Sequence, residues 1–276
     1  MTKPKEKSLI DAIDTHAHVF HRGLKFIESR RFTPNYDAAL DQYLSHLDEQ
    51  GIARGVLIAL SVLGTDNSYL LDSLRSAPER LRGVVAIDPA EDLDRLDDFA
   101  SAGVVGVRVN LTGGLPVPDF RTGAWSEVAA ELARRDWHLE INDRCERLTQ
   151  SIEPLIDAGV RVVVDHFGMP DAKSGVDDPA FQQLLSFAAS RRVWVKLSGD
   201  YRFGAELARQ AAPLLVDSFK ADRLLWASDW PFTQHEGTEN YRAQLSKLET
   251  WVPNQSDRHV VLCETPAELF KFDKNP

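Results

Sequence analysis

The feature that most constrains this chain is a pattern that recurs eight times: a short β-branched run, a loop, then a stretch of helical period. The runs are "LIDAIDT" (9–15), "GVLIALS" (55–61), "RGVVAI" (82–87), "GVVGVRVN" (103–110), "WHLEIN" (137–142), "VRVVVDH" (160–166), "VWVKLS" (193–198) and "LLWASD" (224–229). Between them lie helical stretches at 37–50, 67–76, 91–102, 125–135, 146–158, 179–191 and 205–219. In the first of these, Leu40, Leu44 and Leu47 share one face. Gly51, Gly103 and Gly159 stand just past three helical stretches, where a residue tolerant of left-handed backbone closes a helix. Strands alternating with helices pair in parallel through right-handed crossovers. Eight such units in 276 residues predict an α/β fold, a (β/α)8 TIM barrel forming a single domain over 1–276. A doubly wound open sheet is the alternative. It usually opens with a glycine-rich phosphate turn after the first strand, and here that turn reads "THAHVFHRG".

In a barrel, chemistry concentrates where strands end and βα loops begin. The first strand runs into "IDTHAHVF", and strand alternation sends Thr15 to one side and both His16 and His18 to the other. The second ends near Ser61, Thr65 and Asn67; the fourth carries Arg108 and Asn110, and the fifth Glu140 and Asn142. The sixth ends in Asp165 and His166, and the seventh brings Lys196 and Ser198, followed by Tyr201 and Arg202. The eighth ends "SDWP", with Asp229. Taken singly, each has a plainer explanation: Arg108 as a structural ion pair, Lys196 snorkelling to the rim, Glu140 and Asn142 as interior polar filler. Polar residues recurring at equivalent ends of most strands point instead to one shared site.

A formal charge of −10 argues against general nucleic-acid binding, which needs positive patches, but leaves room for a small anion held by local arginines. No run approaches the length of a membrane span. Cys145 and Cys263 show neither metal-site nor disulfide spacing, which fits reduced thiols in the cytoplasm. There is no GxSxG nucleophile motif.

His-x-His on strand one, His on strand six and Asp on strand eight, with "GTDNSYLLDSL", "GVRVN", "DHFGMPD", "VWVKLSGDYR" and "LLWASDWPF" in order, resemble the amidohydrolase superfamily. Within it the chain is similar to the 2-pyrone-4,6-dicarboxylate lactonase group, over residues 13–232. The resemblance implies hydrolysis of a carboxylated lactone by water. Asp229 would be the base, and His16, His18 and His166 would polarise the carbonyl. Arg108 and Arg202 would clamp substrate carboxylate, aided by Ser61, Thr65, Asn67 and Lys196. Three His and one Asp would hold a single zinc if a divalent ion is bound; a binuclear site is disfavoured because strand four offers Arg108 in place of a bridging carboxylate. No required metal is the favoured reading. The group's pattern has further arginines after "GVRxN" and after "DHxG", and here those places hold Gly114 and Met169. The substrate is therefore expected to be an anionic small molecule of lower charge, unless Arg22, Arg30, Arg31 or Arg144 substitutes from a loop. A zinc-dependent decarboxylase of the same superfamily, and a barrel that binds an anion without turning it over, are the other readings.

Overall fold

In the computed structural model, which describes residues 11–272, the eight strands form one parallel sheet in sequence order. They are β1 (Ile13–Ala17), β2 (Arg54–Ile58), β3 (Leu81–Val85), β4 (Val104–Asn110), β5 (His138–Asn142), β6 (Arg161–Val164), β7 (Val193–Leu197) and β8 (Leu224–Trp226). The helices are α1 (Leu40–Gln50), α2 (Ser68–Ser76), α3 (Leu96–Ser101), α4 (Gly123–Arg135), α5 (Cys145–Asp157), α6 (Pro179–Ser186), α7 (Ala205–Phe219) and α8 (Tyr241–Trp251). Two short ones, α9 (Gln255–His259) and α10 (Thr265–Leu269), flank a π-helical turn, Val260–Glu264. Backbone bonds close the barrel: His18 N–H donates to Trp230 O at 2.9 Å, and Asp229 N–H to His16 O at 3.0 Å.

Each expected strand and helix is present, with shifted ends. The first strand extends to Ala17, so His16 lies inside it; Leu9 and Ile10 of the expected run lie outside the described residues. The stretches 91–102 and 179–191 each divide into a short 3-10 turn and an α-helix. Gly51, Gly103 and Gly159 all adopt the expected left-handed φ. Helices α8 to α10 were not foreseen.

Apolar packing has two layers. The larger core lies between the strands and the helix ring. A second fills the barrel itself, where Ile13, Val56, Ile58, Val84, Val105, Val163, Trp194 and Leu225 meet Phe270 and Phe272 from the C-terminal segment. Phe270 lies edge-on to His138 of β5, with ring centroids 5.2 Å apart. The lower barrel is thereby sealed by hydrocarbon, and the polar interior lies above it. Phe270→Ala is expected to cost about 3 kcal/mol through the cavity it leaves, read from the denaturant midpoint at unchanged m-value.

Candidate active site

An irregularity in β1 sets the orientation of the histidines. Ile13 joins the barrel interior, and the next residue, Asp14, faces outward. Asp14 there accepts hydrogen bonds from Tyr43 Oη (3.1 Å), Tyr241 Oη (2.8 Å), Ser228 N (2.8 Å) and Ser228 Oγ (2.6 Å). Strict alternation from Ile13 would turn His16 outward as well. Pairing with β2 shifts register between Asp14 and Ala17, and the extra residue returns His16 and His18 to the interior. Thr15 instead donates to Trp226 O at 2.8 Å across the β1–β8 seam.

His16 Nε2 lies 3.1 Å from His18 Nε2, and His18 Nδ1 lies 2.7 Å from Ile58 O. His166 Nδ1 meets Ser198 Oγ at 2.9 Å. Asp229 stands among them, with Oδ1 3.8 Å from His16 Nε2 and Oδ2 3.9 Å from His166 Nε2. Its Oδ2 accepts from Tyr201 Oη (2.6 Å) and Arg202 Nε (2.7 Å), while buried Oδ1 has no hydrogen-bond partner. His166 and Asp229 both adopt left-handed backbone (φ 50° and 62°), an unfavourable conformation held at the site by its surroundings. Gly199 makes room for the pair: a Cβ there would lie 2.7 Å from His166 Nδ1 and 3.1 Å from Asp229 Oδ2.

Burial, and after it the charge of Arg108, pushes His18 down to about 3. Burial pushes His166 to about 4, and burial followed by Lys196 lowers His16. All three rings are neutral near pH 7. Burial alone would raise the Asp229 carboxyl, but the Arg202 guanidinium, through its charge and its hydrogen bond, outweighs it and holds the group well below the usual range. Asp229 is therefore an ionised acceptor.

Beneath these groups lies a fully buried ionic cluster. Arg108 donates to Asp165 Oδ2 through Nε (3.2 Å) and a terminal nitrogen (2.9 Å), and its Nε lies 3.3 Å from Glu140 Oε1. The Lys196 ammonium bonds Glu140 Oε2 at 2.5 Å and lies 3.4 Å from Asp165 Oδ1 and 3.1 Å from His16 Nδ1. This revises two sequence expectations. Arg108 is in a buried ion pair with its nitrogens occupied by Asp165, Glu140 and Ala59 O, rather than presented as a clamp. Lys196 is 0% exposed instead of reaching the rim. Asp165 points into the barrel against His16 at 3.3 Å, bonded to Arg108 beneath the histidines. Glu140, read as filler, is part of the same network; its parity with His138 and Asn142 on β5 was the signal available.

Of the βα-loop residues, Asn67 donates to Ala86 O (2.7 Å) and Thr65 O (3.0 Å) and accepts from Ala86 N (3.2 Å), which ties its loop to the end of β3. Ser61 begins a 3-10 turn and is half-buried, and Thr65 is exposed. Arg22 pairs with Asp37, and Arg30 with Thr33 and Ile27 O. Arg31 has no hydrogen bond or ion pair among the described residues. Its Cδ lies 3.2 Å from where a Cβ on Gly113 would sit, and burial, then Arg202 and Arg108, lower its pKa. Arg31 and Arg202 thus bring two positive charges to the barrel mouth. Arg144 is exposed, with its side chain in no described pair.

One ligand atom each from His16, His166 and Asp229 lies within 4.8 Å of the others, a spacing that admits one ion. The charges do not suit it. Two buried cations stand directly below, and the Lys196 ammonium faces the outer nitrogen of His16, where a metal-bound histidine ordinarily donates to a carboxylate or carbonyl. As they stand, these residues do not fit a bound metal.

A parallel barrel with His-x-His on its first strand, a sixth-strand histidine and an eighth-strand aspartate around one pocket defines a class. A family model described as amidohydrolase matches residues 13–272, and the chain belongs to that family. It is 31% identical to the 2-pyrone-4,6-dicarboxylate hydrolase of Comamonas testosteroni, an alignment covering 98% of this chain and 93% of that protein. It is 28% identical to the 4-sulfomuconolactone hydrolase of Hydrogenophaga intermedia, covering 93% and 88%. The crystal structure of a probable 2-pyrone-4,6-dicarboxylic acid hydrolase from Acinetobacter baumannii, with citric acid bound, superposes with a TM-score of 0.91. That match is 34% identical and covers 95% of this chain and all of the other.

Proposed function

We propose that this protein hydrolyses a lactone bearing an anionic substituent, with Asp229 as the base and no metal required. The observation that carries this reading is the Asp229 carboxylate: buried, ionised, and with Oδ1 unpartnered beside the imidazoles of His16 and His166. A water against Oδ1 gives up a proton to the carboxylate as its oxygen bonds the lactone carbonyl carbon. The carbonyl electrons move onto oxygen, where an imidazole N–H and the mouth arginines stabilise the charge. Collapse breaks the ring C–O bond, and the proton held by Asp229 goes to the departing oxygen. The product is the ring-opened hydroxy acid, or its enol where the ring was a pyrone.

Arg202 has a double place in this scheme. Through Nε it keeps Asp229 ionised, and a substrate anion drawn toward the same guanidinium would weaken that hold and make Asp229 a stronger base. Arg31, with no partner of its own among the described residues, is the second anion contact. Arg31→Ala is expected to raise KM for an anionic lactone by about tenfold or more, with kcat within about threefold, as suits uniform binding. An unchanged KM would place the anion elsewhere.

The alternative, decarboxylation around a zinc ion, would need a bare His16 nitrogen in this chain, which Lys196 opposes. A panel of carboxylated and sulfonated lactones, assayed with and without chelator, tests the reading: hydrolysis that survives chelation is expected, and no turnover of any anionic lactone would overturn it. Two buried, unpaired cysteines and the absence of a membrane-crossing helix among the described residues support the cytoplasm as its place of work.

A further inference from the structure

We infer that Lys196 is a built-in cation that fixes the proton of His16 on Nε2 and thereby keeps divalent metals out of the site. The argument follows hydrogen-bond polarity along one line. Ile58 O can only accept, so His18 carries its proton on Nδ1, 2.7 Å away, and the neutral ring leaves Nε2 bare. His16 Nε2, 3.1 Å from that bare nitrogen, is then the donor. His16 Nδ1 must accept, and what faces it at 3.1 Å is an ammonium, which can only donate.

The carboxylates near Nδ1 do not compete. Asp165 Oδ1 at 3.3 Å and Glu140 Oε1 at 3.5 Å lie farther from Nδ1 than the ammonium, and each has a cation beside it, Lys196 at 3.4 Å and Arg108 at 3.3 Å in turn. His16, Glu140 and Asp165 also form a cluster that could itself hold a metal ion, and the Lys196 ammonium reaches all three of its members. Lys196 therefore supplies the positive charge that an ion would bring, without the ion. It leaves the His16 Nε2 proton free to swing from His18 to a lactone carbonyl oxygen. Lys196 is a positioning residue, since it touches the reacting atoms only through His16. Its kinetic consequence rests on the lactone-hydrolase reading; the proton's place and the metal's exclusion do not.

The test has two readouts that need no substrate. Long-range proton–nitrogen NMR on the full chain, with the His16 signal assigned by its loss in His16→Asn, should show the proton on Nε2; a proton on Nδ1 would overturn the proposal. Zinc titration with elemental analysis should show Lys196→Met binding one zinc at least tenfold more tightly than the unsubstituted protein, while Lys196→Arg, which keeps the cation, stays near the original affinity. Equal zinc affinity in a folded Lys196→Met would overturn it. If that variant does not fold, the NMR measurement decides. Failure of the lactone panel with His16 protonated on Nε2 would sink the functional reading and leave this one standing.

Discussion

Asp229→Asn should lower kcat by about a thousandfold with a nearly unchanged fold. The size follows from removing a general base, worth roughly 10²–10⁴ in rate, at a position where no second carboxylate among the described residues faces the same space. Glu140 and Asp165 lie below His16 and are bonded to Arg108 and Lys196, so neither can take over. The fold should survive because Asp229 sits at φ 62°, a conformation asparagine tolerates well, and the amide can still accept from Tyr201 and Arg202. Turnover within about threefold of the original would remove Asp229 from the mechanism. Thermal unfolding of the same sample would show whether the fold had changed.

The second large effect is on stability in mild acid. His16, His18, His138 and His166 are buried and held neutral, His18 and His138 by shifts to about 3 and His166 to about 4, with burial the main cause in each. A histidine whose folded pKa is depressed gains its proton only on unfolding, so stability falls as pH drops below about 6.5 toward the folded values. Glu140 acts in the opposite direction. Burial, then the charge of Asp165, raises it above the usual carboxylate range, which offsets part of the histidines' effect. The net difference of about three protons is worth about 4 kcal/mol per pH unit between pH 6 and 5. That is a large part of an ordinary domain's stability. The melting temperature should fall by about 10 °C or more between pH 6.5 and 5. A melting curve flat across that window would mean the imidazoles are charged in the fold.

The barrel was legible because its signal is distributed: eight β-branched runs, the helical periods between them, and three glycines at helix ends. The site was legible where a residue's role follows from its place at a strand's end, as for His16, His18, His166 and Asp229, which the fold brings together around one pocket. What sequence could not show was depth. Arg108 and Lys196 read as polar residues near a mouth, and only the inward face of β4 and β7, below the strand ends, places them under the floor. Tyr201 and Gly199 matter through contacts with Asp229 across the β7–β8 seam, and no spacing in the chain records those. The helices after β8 lacked a following strand to mark them as part of the repeat.

The slip in β1 also limits what can be transplanted. Grafting the tripeptide His-Ala-His onto the first strand of another parallel barrel, three residues after an inward-facing position as it stands here, would turn both rings toward the helices unless the recipient backbone carried the same extra residue. Deleting Thr15 here would instead leave His16 two positions after inward-facing Ile13, so both imidazoles should still enter the barrel, and what disappears is the Thr15 bond to Trp226 O across the β1–β8 seam.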